Sequence, residues 1–190
     1  MNGSGTNKQR IRDARRAVLA FCRSDDLETV IHIRGLSHAE VEKIIYGNLL
    51  SRLFMAARYL LSIALYPFPF SELKVLFYRL CGTRIGKNVY LSPAVYIDMI
   101  NPALVTIGNN VMIGMGATIA VHERTMETLS LGRVSIGNNV TIGGLSILRH
   151  ATCIGENARI DMMCNITKNV PPDTVIIGCR NGAPLHGKDL

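Results

Sequence analysis

Residues 107–119 read IGNNVMIGMGATI and residues 136–148 read IGNNVTIGGLSIL. In both, an aliphatic residue returns every six positions: Ile107, Ile113 and Ile119, then Ile136, Ile142 and Leu148. The same step extends outward, through Ile85, Leu91 and Ile97 before, and through Ile154, Ile160 and Ile166 after, making twelve units in three blocks. Four units open Ile-Gly-x-Asn, at 85, 107, 136 and 154, and a small or β-branched residue usually follows four after the aliphatic one, as at Val89, Val111, Ala117, Val140 and Ala158. A face returning at six is not an α-helix, whose apolar positions recur at three and four. It predicts short strands separated by turns and stacked as a solenoid. Gly after the aliphatic residue, and Asn two beyond it, both tolerate left-handed backbone angles. Three units close one triangular coil of eighteen residues, the spacing between Ile136 and Ile154. Twelve units make four coils at the strand spacing of roughly 4.8 Å, with a column of Ile, Leu and Val inside.

The chain has 190 residues, enough for one or two units of structure. Lys and Arg outnumber Asp and Glu by 21 to 14, a net charge of +7 that suits an anionic ligand or an anionic surface. Nucleic acid is not indicated, because basic and aromatic residues do not alternate and no nucleic-acid-binding motif is present. Lys8, Arg10, Arg12, Arg15 and Arg16 crowd one short stretch, as on a solvated helix face. The five cysteines (Cys22, Cys81, Cys153, Cys164 and Cys179) are odd in number and form no C-x-x-C pair, and no secretory leader is visible. That predicts a reduced, cytoplasmic protein.

The hexad is absent before Cys81, which divides a helical N-terminal region, 1–80, from a solenoid domain, 81–190. From Gln9 to Cys22 the residues Ile11, Ala14, Val18 and Phe21 share a helical face. Ser37 and Glu40 form a capping box that starts a helix near His38, running through Tyr46 to Leu50 and beyond. Ser51 to Leu65 is helical in pattern and strongly apolar, YPFPF at 66–70 breaks it, and Ser71 to Leu80 is a last short helix. The stretch 53–70 contains Arg58 and two prolines, and a membrane span needs about twenty apolar residues. Two roles stay open for it: a cap or subunit contact over the edge of the first coil, or a peripheral contact at the inner face of a membrane.

The hexad fails twice. Ile97 to Ile107 is a step of ten, extruding four residues around Met99, Ile100, Asn101 and Pro102. Ile119 to Ile136 is a step of seventeen, extruding eleven residues, 122–132, as a loop. A solenoid core excludes polar side chains, so chemistry belongs in such loops. Asp98 precedes the first extrusion, His122 opens the second and Glu123 follows it.

The run from Ile85 to about Pro184, with its Ile-Gly-x-Asn phrases and ITKNVPPDT at 166–174, resembles the hexapeptide-repeat acyltransferases. The resemblance covers roughly half the chain. It implies a mainly β fold, a left-handed parallel β-helix of about four coils, here with an α-helical N-terminal region. It further implies acetyl-CoA-dependent O-acetylation of a sugar or related hydroxyl acceptor, most similar to the subgroup acting on sugars and antibiotics. His122 takes the place of the catalytic base in that subgroup. An imidazole there can take the proton of a hydroxyl as it attacks a thioester, and such catalysis contributes roughly 10²–10⁴-fold. Glu123 beside it and Asp98 could each orient the imidazole or bind an acceptor hydroxyl; Glu123 is grouped with the catalytic base, and Asp98 and Asn101 with the acceptor. Gly144, Met162, Thr167, Lys168 and Arg180 would hold coenzyme A between the subunits of a homotrimer, with no metal. Three phrases depart from the family pattern: Arg149-His150, Asp161-Met162-Met163 and the run after Gly178. They leave room for a non-catalytic β-helix scaffold. A gamma-carbonic-anhydrase-like metalloenzyme shares the fold but needs three histidines, and only His122 and His150 lie within the repeats.

Overall fold

The computed structural model describes residues 3–180 and 183–184. Its centre is a three-sided parallel β-helix. The first face stacks β2 (Arg84–Ile85), β5 (Val105–Ile107), β10 (Val134–Ile136) and β13 (Thr152–Ile154). The second stacks β3 (Tyr90–Leu91), β6 (Met112–Ile113), β11 (Thr141–Ile142), β14 (Arg159–Ile160) and β16 (Val175–Ile176). The third stacks β4 (Tyr96–Ile97), β7 (Thr118–Ile119), β12 (Ile147–Leu148) and β15 (Asn165–Ile166). Register places each inward aliphatic on its counterpart, as Ile107 on Ile136 and Ile136 on Ile154. Leu91, Ile97, Ile113, Ile119, Ile142 and Leu148 are wholly buried. The stack continues past the twelfth unit: Val170 bridges to Ile154 and β16 pairs with β14, so a fifth, partial coil is present.

The Ile-Gly-x-Asn phrase divides its labour differently from the turn argument. Asn88, Asn110, Asn139 and Asn157 take the left-handed conformation, with φ of 52°, 56°, 58° and 58°. The glycines at 86, 108, 137 and 155 do not; they admit the neighbouring coil. A Cβ on Gly86 would lie 2.5 Å from the Gly108 carbonyl oxygen, and one on Gly155 would lie 2.3 Å from the Pro172 nitrogen. The asparagine side chains also join coil to coil, Asn88 donating to Asn110, Asn110 to Asn139, Asn139 to Asn157 and Asn157 to Asp173, at 3.0, 3.1, 3.1 and 2.8 Å.

Four helices precede the solenoid: α1 (Gly3–Arg23), α2 (His38–Tyr46), α3 (Leu49–Leu65) and α4 (Ser71–Leu80). The Ser37–Glu40 capping box starts α2 as the sequence indicates. The helix does not run on to Leu50. Gly47 turns the chain at φ 73° and Asn48 caps α3, its side chain accepting from the Ser51 amide, so the two helices meet at 81°.

The first coil is closed chiefly by α4, joined by the end of the 53–70 stretch, where Leu65 packs on the core and the Tyr66 carbonyl accepts from the Ala94 amide at 2.7 Å. Val75, Phe77 and Tyr78 join the main core. Ser71 Oγ accepts from the Leu91 amide at 2.8 Å, the Tyr78 hydroxyl accepts from the Ile97 amide at 3.2 Å and donates to the Val95 carbonyl at 3.3 Å, and Lys74 Nζ donates to the Ser92 carbonyl. Edge groups that a bare coil would leave unpaired are thereby met.

The N-terminal region is also not wholly helical. A strand, β1 (Glu28–His32), pairs antiparallel with β9 (Thr128–Gly132), which pairs with β8 (His122–Arg124). The eleven-residue extrusion is therefore a hairpin inside a three-stranded sheet. Its Leu129 is wholly buried with Ile31, Ile33, Val41 and Ile44 in a second core shared with α1 and α2. The two C-terminal strands are β17 (Cys179–Arg180) and β18 (Ala183–Pro184), paired antiparallel.

Candidate active site

Both failures of the hexad lie on one corner of the prism. β4 pairs with β7, Ile97 against Ile119, and the chain leaves the third face just past each of them. Asp98, the first residue out of β4, therefore sits beside the exit of the coil above, where Val121 and His122 follow. Its amide donates to the Ile119 carbonyl at 3.0 Å. The Asp98 side chain is nearly buried, at 4% exposure. Oδ1 accepts from the Ile100 amide at 3.0 Å, and Oδ2 accepts from the Val121 amide at 3.2 Å and contacts His122 Nδ1. Three partners fix the carboxylate, and the carboxylate fixes the ring. With Nδ1–H donated to Asp98, the other ring nitrogen, Nε2, is the one free to take a proton.

The pair opens into a cavity of about 530 Å³ lined by Tyr46, Met55, Tyr59, Tyr96 and Met99, with Glu42 and Arg52 3.8 Å apart among its polar groups. The four-residue extrusion builds one wall: Met99 is buried, and its carbonyl accepts from Arg58 Nη2 at 2.6 Å. Burial, reinforced by the Asp98 charge, pushes the Tyr96 hydroxyl up to about 12, and burial with the charges of Glu42 and Asp98 pushes Tyr46 up as well. Both phenols remain hydrogen-bond donors at neutral pH. Sequence reasoning missed this wall. Tyr96 was legible as the outward neighbour of Ile97, whereas Tyr46, Met55 and Tyr59 belong to helices that carry no catalytic or binding motif.

The other predicted residues scatter. Glu123 turns from the imidazole to an ion pair with Arg149, and His150 sits 3.2 Å from Glu28 and 3.9 Å from Glu123. With Thr167 these residues line a separate cavity of about 300 Å³. The Arg149-His150 departure thus ties the hairpin and β1 to the coils, Arg149 through Glu123 and His150 through Glu28. Asn101 is not in the large cavity; its amide donates to Cys22 Sγ of α1 at 2.9 Å. Lys168 is exposed beside Thr167 on the His122 corner. Gly144 and Met162 lie on the opposite corner, between the second and third faces. Gly144 is accounted for by stacking, since a Cβ there would meet the Met115 carbonyl oxygen at 2.9 Å. Met162 is exposed beside Met115, Leu145 and Met163, an apolar corner. The third face spans the distance between these two corners. The side chain of Arg180 lies outside the described residues. Among the described residues, no three His, Cys, Asp or Glu side chains converge as a metal site.

No family model matches the chain. Over 114 residues it is 32% identical to the galactoside O-acetyltransferase of Escherichia coli (strain K12), covering 55% of each chain. Over 111 residues it is 29% identical to YvoF of Bacillus subtilis (strain 168), covering 58% of this chain and 64% of that one. A hexapeptide-repeat-containing acetyltransferase of Vibrio cholerae O1 biovar eltor, solved in complex with acetyl coenzyme A, matches with a TM-score of 0.56 at 17% identity, over 77% of this chain and 96% of that one. The fold is that of the hexapeptide-repeat acetyltransferases. The parallel β-helix is accordingly left-handed. The chain spans between about half and two thirds of the length of the curated relatives it matches.

Proposed function

We propose that the chain is an acetyl-CoA-dependent O-acetyltransferase acting on a sugar or a related hydroxyl acceptor. The observation that carries this reading is the buried Asp98 holding the His122 ring so that its free nitrogen serves a cavity walled by three tyrosines. The likeness to a galactoside O-acetyltransferase, and to an acetyltransferase fold solved with acetyl coenzyme A, supports the donor and the acceptor class.

In this reading the acceptor enters beside Tyr46, Tyr59 and Tyr96, whose ring faces suit the apolar faces of a sugar and whose hydroxyls suit its oxygens. His122 Nε2 removes the hydroxyl proton as the oxygen bonds to the acetyl carbon. The carbon–sulfur bond breaks, the thiolate leaves, and the imidazolium returns the proton to sulfur. Asp98 stabilises the charged ring between these two transfers without itself being protonated. With the donor between protomers, the apolar corner at Met115, Leu145 and Met162 of one copy would line the thioester arm against the His122 corner of the next, where the exposed Lys168 suits a phosphate. Homotrimeric assembly, with the donor between protomers, belongs to the same reading.

The test measures thiol release from acetyl coenzyme A against sugars, nucleotide sugars and lipid-linked glycans. Turnover with at least one class is expected, and His122→Ala should lower it about 10²–10⁴-fold. Full activity in His122→Ala would overturn the mechanism. Absence of any thioester binding would overturn the enzyme reading and favour a scaffold.

A further inference from the structure

The third helix is built inside out for a surface helix in water. Its two charged side chains, Arg52 and Arg58, both turn toward the body, Arg52 to Glu42 and Arg58 to the Met99 carbonyl and the Phe54 ring. Leu53, Ala57, Leu60, Leu61 and Ala64, at helical spacing, are exposed and bear no charge between them. Leu53 is 59% exposed, Leu60 67% and Leu61 50%. The strip continues through Tyr66, Phe68 and Phe70 and onto the outer face of α4 at Leu73, Leu76 and Leu80, all exposed. A contiguous apolar area of this extent marks an interaction surface.

Charge identifies the partner. Between residues 43 and 97 the exposed charges are four basic side chains, Lys43, Arg79, Arg84 and Lys87, against one acidic, Glu72; Arg52 and Arg58 turn inward and Lys74 is buried. A second copy docking the same face would set this positive field against itself. An anionic lipid surface complements it, and the aromatic cluster at 66–70 suits the headgroup level. Among the described residues, no single helix is long and apolar enough to cross a membrane.

We infer that the outer face of α3, continued through 66–80, seats the protein on an anionic bilayer. Met55, Ala56 and Tyr59, on the inner side of the same helix, line the His122 cavity. On the acetyl-transfer reading, the docked helix brings that cavity to the bilayer surface, where an acceptor carried on a lipid would be met.

Sedimentation of the full chain with vesicles of phosphatidylglycerol and phosphatidylcholine, against phosphatidylcholine alone, tests the docking without any acyl donor. Binding to the anionic vesicles is expected, weakening as salt is raised. Leu53→Ser/Leu60→Ser/Leu61→Ser should reduce it at least about tenfold, the equivalent of roughly 1.4 kcal/mol. These residues touch neither the core nor the cavity, so circular dichroism and melting should match the parent. Failure of the wild type to bind, or binding indifferent to the triple substitution, overturns the inference. So does a fall in the particle mass of the triple variant in vesicle-free buffer, which would show that a second copy covers the strip. Acetyl transfer to a water-soluble acceptor is read separately; its absence in both proteins would sink the acetyl-transfer reading and leave the vesicle result standing.

Discussion

Asp98→Asn and Asp98→Ala separate two duties of one carboxylate. It orients His122, and it accepts from the amides of Ile100 and Val121. Asparagine can still accept one amide bond, and on the proposed acetyl transfer it would remove the charge that stabilises the imidazolium, so kcat should fall about 10²-fold or more while KM changes little. Alanine strands the buried Val121 amide, worth about 1–3 kcal/mol, and the half-buried Ile100 amide, so that variant should also melt earlier. Glu123→Gln, by contrast, should spare the chemical step and loosen the hairpin through Arg149. Steady-state kinetics beside thermal melts distinguish the three. The linear sequence leaves either carboxylate to orient the imidazole, Glu123 adjoining His122 and Asp98 lying 24 residues away. Along a strand, adjacent side chains face opposite sides. Stacking of coils brings the distant residue into contact.

Among the elements, α4 and the Ile-Gly-x-Asn turns make the sharpest predictions. Gly155→Ala would drive a Cβ into the Pro172 backbone at 2.3 Å, and overpacking of this kind costs about 1–3 kcal/mol. Asn139→Val should cost about 1–2 kcal/mol through its left-handed backbone, and Asn139→Gly less. Urea titrations of the three variants would rank them. Tyr78 supplies a pH test. Burial pushes its hydroxyl up to about 12 from an ordinary 10. Between these values the folded state holds a proton that the unfolded state has released, so stability is full below pH 10 and falls as pH rises toward 12. The loss is about 2–3 kcal/mol at its limit. Tyr78→Phe should flatten that alkaline fall in urea titrations from pH 8 to 11, though it starts from a lower stability after losing its bonds to Val95 and Ile97. The repeating strands were legible because their inward residues obey one period, and the helices because capping and spacing are local. β1 was not read as a strand, although Thr29, Val30 and Ile31 are all β-branched. Its pairing partner, β9, lies about 100 residues away in what reads as a loop.

Across the whole molecule, the N-terminal region and the solenoid are joined at several places, and Arg133 is a central rivet. It donates from Nε to the Asp26 carbonyl at 3.0 Å and from Nη2 to the carbonyls of Phe21 and Ser24, and it stacks 5.5 Å from the Phe21 ring. Arg133→Ala should destabilise by about 1–3 kcal/mol. It should also speed hydrogen exchange in α1 and β1 before the coils themselves open, which mass spectrometry would resolve. Residue 80 marks a change of sequence pattern, and β1, which precedes it, completes the sheet that His122 begins. The closed end of the prism has a consequence for assembly. A stack of identical coils is a directional object, its amide side chains all donating toward the last coil, and such an object invites growth by one molecule stacking on the next. Filaments of that kind require two compatible ends. By occupying the acceptors and donors of the starting coil with Ser71, Lys74 and Tyr78, α4 removes one of them. Head-to-tail growth of copies through that end is thereby blocked.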